Sequence, residues 1–200
     1  MKLSADKIKK AIESKGYKWF EGGDYNLNIV GVRNSDTNGV VTNKFDDMIT
    51  LTYEVGGVLK YHEFDATTDP GSHWEKNLLS KDGVAILVPN QYRGSHTIGM
   101  HQGKYEALKQ QKPVKVYRDK NMDGKYDMLA ENIQEGIFGI NIHKAGSRVE
   151  GSTQIDKWSA GCQVLSKESD FDKLMELTHK ASSLYGKSFT YTLIESKDIV

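Results

Sequence analysis

One cysteine and one histidine form the pair of residues in this sequence that is best suited to chemistry. Cys162 is the only cysteine of the 200-residue chain, and it follows a glycine in Ser159-Ala160-Gly161-Cys162. His143 lies upstream, at the end of an alternating apolar and polar run. Because a thiol needs a base to become nucleophilic, the pattern predicts a thiolate–imidazolium pair. The alternative is a buried structural cysteine beside an unrelated histidine.

The turn before the cysteine offers the other groups that attack on a carbonyl carbon requires. Main-chain N–H groups of residues 159–162 are placed to hold an oxyanion, with Gly161 permitting close approach. We expect Ser159 to support this turn through a hydrogen bond. It is not expected to be a nucleophile, because the Gly-x-Ser-x-Gly pattern of serine hydrolases is absent.

The order of histidine, loop and Ser-x-Gly-Cys resembles the signature of the L,D-transpeptidase (YkuD-like) catalytic domain family. Residues 64–71 are also similar, more loosely, to an earlier Thr-Pro-x-Gly segment of that family, so the resemblance extends from about Leu27 onward. It implies a β-sandwich with a helix after the catalytic cysteine. It further implies cysteine-based acyl transfer on peptidoglycan stem peptides, without a cofactor.

Three positions depart from the family pattern. Lys144 stands where the family usually has glycine, and Ala160 stands where many members have a second histidine. Val164 replaces a common arginine or asparagine, a change that concerns substrate contacts more than the nucleophile.

The imidazole needs a group that orients it, and the residues around it provide candidates for this and for substrate binding. The resemblance implies that a main-chain carbonyl near Lys144 orients His143. Asn141, which alternates onto the same strand face, is the other possibility. His101 is a candidate alternative base or substrate contact. The substrate-binding candidates are Lys144, Trp158, Asn141, Arg148 and His101.

An acidic loop resembles the opening of a calcium-binding loop. Oxygen-bearing side chains occupy its first, third and fifth positions and glycine its sixth, but the twelfth position is Ala130 instead of glutamate. The alternative is an Asp-Gly turn in an exposed hairpin. The weak ligand candidates are Asp119, Asn121, Asp123 and Asp127. Histidine and cysteine spacing gives no zinc motif, so no other metal is expected.

Composition limits the possible partners. The chain carries 27 basic and 27 acidic residues, which argues against a nucleic-acid binder or a polybasic membrane contact. The longest apolar run, residues 84–88, is too short to span a membrane. The N-terminus lacks the apolar region of a signal peptide. Action at the bacterial cell wall would therefore require a removed leader, cell lysis, a phage particle or a secretion system.

The pattern of the elements predicts a single α+β domain that is mostly β. Residues 1–26 are expected to hold a helix, capped by Ser4, and an aromatic segment, with the catalytic domain at 27–200. A hairpin is expected to turn at Gly56-Gly57. Helices are predicted at 5–15, 104–111 and 169–185, and strands at 27–32, 49–55, 58–64, 84–88, 96–101, 114–118, 137–143 and 189–193.

Two functions from other classes fit the same scaffold. The cleft and the aromatic residues would also suit a non-catalytic module that binds cell wall or glycan. A structural virion protein that retains a vestigial site is the other alternative.

Overall fold

The computed structural model describes residues 3–146 and 149–200 and shows a single, predominantly β domain of the α+β class, as predicted. Its helices are α1 (Ala5–Ser14), α2 (Ser72–Lys76) and α3 (Glu168–Tyr185). Its strands are β1 (Asn28–Arg33), β2 (Asp47–Val55), β3 (Val58–Thr67), β4 (Val84–Leu87), β5 (Asn90–His101), β6 (Tyr105–Gln110), β7 (Val114–Asp119), β8 (Ile133–Gly136), β9 (Ile142–Lys144), β10 (Gln163–Leu165) and β11 (Phe189–Glu195). None of these helices is long and apolar enough to cross a membrane.

Strand pairing produces a closed barrel beside a small sheet. The barrel runs β1-β11-β5-β6-β9-β10-β3-β2, and the second sheet has the order β4-β7-β8. The family resemblance implies a sandwich, whereas here β9 and β10 bridge β6 and β3 and so complete the circuit. Closure pairs strand edges that would otherwise be exposed.

The predicted β2–β3 hairpin is confirmed and shows how alternation builds the core. Gly56 and Gly57 both have positive φ, as the two central residues of a tight hairpin turn require. Ile49 faces Phe64 across the pair, and both side chains are buried. The main core continues through α3, whose buried side chains include Phe171 and Leu174. The helix thus covers one opening of the apolar interior.

The N-terminal segment forms a second core on the outside of the barrel. Ser4 Oγ accepts a hydrogen bond from the Lys7 main-chain N–H at 3.3 Å, as expected of the helix cap. Ile8 and Ile12 are fully buried and pack with Trp19. The Trp19 side chain is therefore part of this core and is not available as a flat surface for stacking against a sugar.

The helix predicted at residues 104–111 is wrong, because this segment is strand β6. Residues 102–104 form a three-residue turn between β5 and β6, and its first two residues, Gln102 and Gly103, have positive φ. Pairing from His101↔Tyr105 to His96↔Gln110 then overrides the helix propensity of the local sequence.

The strand predicted at residues 137–143 is also largely wrong, since β9 begins only at Ile142. Gly139 has a φ of 74°, which breaks the extended run. The Gln110 side-chain oxygen accepts hydrogen bonds from the N–H groups of Phe138 at 3.1 Å and Ile140 at 2.9 Å. A side chain thus replaces the missing ladder and leaves the Gly139 carbonyl free for the cysteine described below.

Leu108 tests whether barrel closure carries the stability of the fold. Leu108 pairs with Ile142 and is fully buried, so Leu108→Ala is expected to lower the free energy of unfolding by about 2–5 kcal/mol. Leu184 is exposed on α3, and Leu184→Ala should change it by less than about 0.5 kcal/mol. Urea unfolding followed by tryptophan fluorescence measures both. Equal losses would contradict this description of the core.

Candidate active site

A short parallel ladder brings the predicted histidine and cysteine onto neighbouring strands. In the β9–β10 pair, His143 lies opposite Val164, and the Gln163 N–H donates to the Asn141 carbonyl at 2.9 Å. Cys162 immediately precedes β10, and alternation puts it on the same sheet face as His143. Across the described ranges, however, no hydrogen bond joins the thiol to the imidazole.

The His143 ring is oriented by the main chain. Its Nδ1 lies 2.8 Å from the Lys144 carbonyl oxygen. Because a carbonyl only accepts, Nδ1 carries the proton and Nε2 keeps its lone pair. The Tyr105 hydroxyl lies 3.4 Å from the same carbonyl and 3.5 Å from Nδ1. The orienting group is thus the one implied by the family resemblance, and Nε2 is left as the basic atom.

Asn141 and His101 support the imidazole from its other side. The His101 and His143 rings stack with their centroids 4.2 Å apart. Asn141 Nδ2 lies 3.3 Å from His101 Nδ1, and Asn141 Oδ1 accepts from the Gln110 N–H at 2.9 Å. The alternative in which Asn141 orients His143 is therefore wrong, because Asn141 holds His101 instead.

Burial makes the resting pair neutral. Desolvation lowers the pKa of His143 to about 4; repulsion from His101 adds to this, and the hydrogen bond to Lys144 opposes it. Desolvation raises the pKa of Cys162 to about 11, with the Asn141 main-chain N–H opposing. The expected thiolate–imidazolium pair is thus absent from this resting geometry. The thiol instead donates to the Gly139 carbonyl at 3.2 Å.

Ser159 supports the turn that carries the cysteine, as expected. Its buried hydroxyl donates to the Cys162 carbonyl at 2.8 Å and accepts from the Gly161 N–H at 3.1 Å. The Gly161 N–H is therefore occupied. The N–H groups of Ala160 and Cys162 have no acceptor in the described part of the chain, so they are the turn's available oxyanion donors.

Gly161 is needed where the turn meets the small sheet. Its φ is +128°, and a Cβ atom built on it would lie 2.3 Å from the Ala85 carbonyl oxygen. A larger residue would push the turn away from β4. Glycine at this position thus allows the turn that carries Cys162 to pack closely against β4.

A buried glutamine holds the same turn from inside the barrel. Gln163 Nε2 lies 3.3 Å from the Gly161 carbonyl and 3.4 Å from the Thr68 carbonyl, and the Tyr191 hydroxyl donates to Gln163 Oε1 at 2.8 Å. The Gly71 N–H donates to the Ser159 carbonyl at 2.8 Å. The segment of looser family resemblance, residues 64–71, therefore ends against the cysteine turn.

The remaining substrate-binding candidates have mixed outcomes. Lys144 forms an ion pair with Glu168, and its ammonium lies 5.1 Å from the Tyr105 ring centroid, so its charge is engaged within the protein. Trp158 is 45% exposed and so does not pack beneath the turn. Val164 is fully buried and cannot contact substrate. Arg148 lies outside the described residues.

The acidic loop is satisfied by its own hydrogen bonds. Asn121 Nδ2 donates to Asp127 Oδ2 at 2.9 Å and to Asp123 Oδ2 at 3.2 Å, while Asp119 Oδ1 accepts from the Asn121 N–H. Gly124 has a φ of 81°, as an Asp-Gly turn requires. No group of three or more histidine, cysteine or acidic residues in the described ranges is arranged to hold a metal ion.

Sequence reasoning missed Tyr105, Gly139 and Gln163. Tyr105 fell in the segment predicted as helix, and the Gln102-Gly103 pair was the signal that could have identified the hairpin. Gly139 interrupts an alternating run, a recognised sign of irregular backbone. For Gln163, local sequence holds no signal, since its partners come from distant strands.

Comparisons with known proteins found no match among protein-family models, curated proteins or solved structures. The likeness to the L,D-transpeptidase family is therefore a resemblance of the sequence around His143 and Cys162 and, more loosely, of residues 64–71.

The raised pKa of Cys162 predicts the pH dependence of its alkylation. Since the thiolate is the reactive form, the iodoacetamide rate should rise about tenfold per pH unit from neutrality towards a pKa of about 11. In urea-unfolded protein the same thiol should level off above about pH 9. Mass spectrometry of timed samples gives both profiles. A folded-state rate that is already flat near neutrality would show a stabilised thiolate and contradict the neutral pair.

Proposed function

We propose that this chain is a cysteine-dependent acyltransferase or peptidase that acts on peptidoglycan stem peptides, as L,D-transpeptidases do. One observation carries the proposal. An imidazole with Nδ1 held by the Lys144 carbonyl stands on the strand beside a Ser-x-Gly-Cys turn. The Ala160 and Cys162 N–H groups of that turn have no acceptor among residues 3–146 and 149–200. Base, nucleophile and oxyanion donors therefore belong to one structural unit.

In the first step, Cys162 attacks a carbonyl carbon of the donor peptide. The thiol proton moves to His143 Nε2 as the sulfur–carbon bond forms, so charge separates only during the reaction. The Ala160 and Cys162 N–H groups stabilise the resulting oxyanion. The carbon–nitrogen bond then breaks, and the imidazolium returns its proton to the departing amine. The product is a thioester on Cys162.

In the second step, an amine or a water molecule attacks the thioester. Neutral His143 takes a proton from the attacking group and returns it to the sulfur as the sulfur–carbon bond breaks. An amine acceptor gives transpeptidation and water gives hydrolysis. The acceptor that reaches the thioester decides between the two outcomes.

A binding module for cell wall or glycan is the second candidate. It is favoured by the raised pKa of the thiol and by the hydrogen bond that the thiol makes to Gly139 instead of His143. This candidate predicts binding of wall fragments without turnover.

Incubation with purified muropeptides separates the two candidates. Wild-type protein should trim or cross-link them, Cys162→Ala should be inactive, and His143→Ala should be about 10²–10⁴-fold slower. His179, exposed on α3 beside Glu106, provides the control, and His179→Ala should retain activity. Because His143 must be neutral, activity should persist below its usual pKa of 6.5 and fall only as the pH approaches about 4. Chromatography with mass detection measures the products, and full activity of Cys162→Ala would refute the proposal.

A further inference from the structure

A cavity of about 300 Å³ opens beside the cysteine turn. Its walls include Ala160, two residues before Cys162, and Phe138, whose neighbour Gly139 accepts the thiol hydrogen bond. Trp74 and the exposed Leu79 add apolar surface. This volume is at the lower end of the range for ligand pockets, and it is large enough for one residue of a bound peptide.

Arg118 gives this largely apolar cavity a positive charge. Its Nε donates to the Gln134 side-chain oxygen at 2.9 Å and its Nη1 to the Gly83 carbonyl at 3.1 Å. A guanidinium has five N–H donors, and Nη2 of Arg118 donates to no acceptor in the described part of the chain. The guanidinium also lies 4.8 Å from the Phe138 ring centroid, which fixes its plane.

No ion pair among the described residues neutralises the charge of Arg118. No carboxylate in the described ranges lies within ion-pair distance of it, although Asp82 acts on it from further away. Burial lowers the pKa of Arg118, which indicates partial desolvation of its charge. A half-buried guanidinium with free donors is well suited to a carboxylate, which it can bind with two parallel hydrogen bonds.

The strand register ties Arg118 to the nucleophile. Arg118 pairs with Ala85 across β4 and β7, and the Ala85 carbonyl oxygen is the nearest atom to a Cβ built on Gly161. Arg118 therefore lies on the strand next to the one that the cysteine turn contacts. Both Arg118 and Ala160 line the same cavity, so a peptide residue bound there would lie next to the turn that carries Cys162.

We propose that this cavity binds a carboxylate of the donor peptide, at its C-terminus or on a side chain, through Arg118. The inference rests on the proposed function, and it assigns to the β4–β7–β8 sheet the recognition of an acidic donor. The apolar walls accept the aliphatic part of the bound residue, and the guanidinium fixes its charged end. Arg118 is then a specificity-determining residue.

Calorimetric titration of the Cys162→Ala protein tests this without turnover. The probes are a synthetic stem tetrapeptide, its C-terminal amide and its side-chain amide. The free acid should bind about tenfold to a hundredfold more tightly than one of the two amides. The carboxylate that is blocked in the weaker-binding amide is the one that the cavity binds. When Arg118→Gln is combined with Cys162→Ala, the affinity difference between the acid and the amide should disappear. Arg118→Lys should keep part of that difference. Arg93, which is exposed and stacks on Phe20 at 5.1 Å, is the matched control, and Arg93→Gln should change nothing.

The possible outcomes separate the inference from the proposed function. Equal affinity for all three peptides, no binding, or discrimination that survives Arg118→Gln would overturn the inference. The peptide comparison needs no substitution at Arg118, so equal affinities would overturn the inference even if the variants fail to fold. Discrimination in a wild-type protein that forms no thioester would remove the proposed function and keep the carboxylate site. A wild-type protein that forms a thioester but binds the three peptides equally would keep the proposed function and remove the carboxylate site.

Discussion

The short parallel ladder between β9 and β10 is the constraint on which the rest of the structure depends. Each strand has three residues, and Leu108↔Ile142 is the register pair between β9 and β6. Such a seam has few hydrogen bonds, so its cohesion comes from burial, with Ile142, Val164 and Leu165 fully inaccessible to solvent. The same seam closes the barrel and sets the imidazole beside the cysteine turn. The contacts that close the barrel therefore also position the candidate active site.

Placing the site at a buried seam explains its electrostatics. Low local polarity disfavours both an imidazolium and a thiolate, and stacking against His101 adds to the penalty on the imidazolium. Burial, with a smaller contribution from the charge of Cys162, raises the pKa of Tyr105 to about 12. The resting site is thus a set of neutral, hydrogen-bonded groups. In the proposed reaction, charge therefore separates only as the thiol proton moves to His143 during attack.

The sequence predicts those parts of the structure that depend on local periodicity and motifs. The capped helix α1, the β2–β3 hairpin, the strand β7 and the helix α3 follow from such patterns. The same patterns single out His143 and Cys162, which the β9–β10 ladder brings near each other without forming the expected ion pair. The wrong predictions concern segments whose conformation is determined by contacts with residues distant in sequence. β6 carries helix-forming residues and is held extended by β5, and Gln110 replaces a ladder for residues 138–140. For the same reason, Gln163 and Arg118 could not be assigned from sequence, because their meaning depends on which strands lie next to them.

The proposed reaction requires a thioester on Cys162, and quenched intact-mass spectrometry detects such an adduct. The protein is mixed with a stem tetrapeptide or a carbapenem, quenched with acid and digested to locate any adduct. We expect an acyl adduct on Cys162 that is absent from Cys162→Ala and accumulates more slowly in His143→Ala. A wild-type protein that stays unmodified by both reagents, while still binding the peptide, would contradict the proposed reaction.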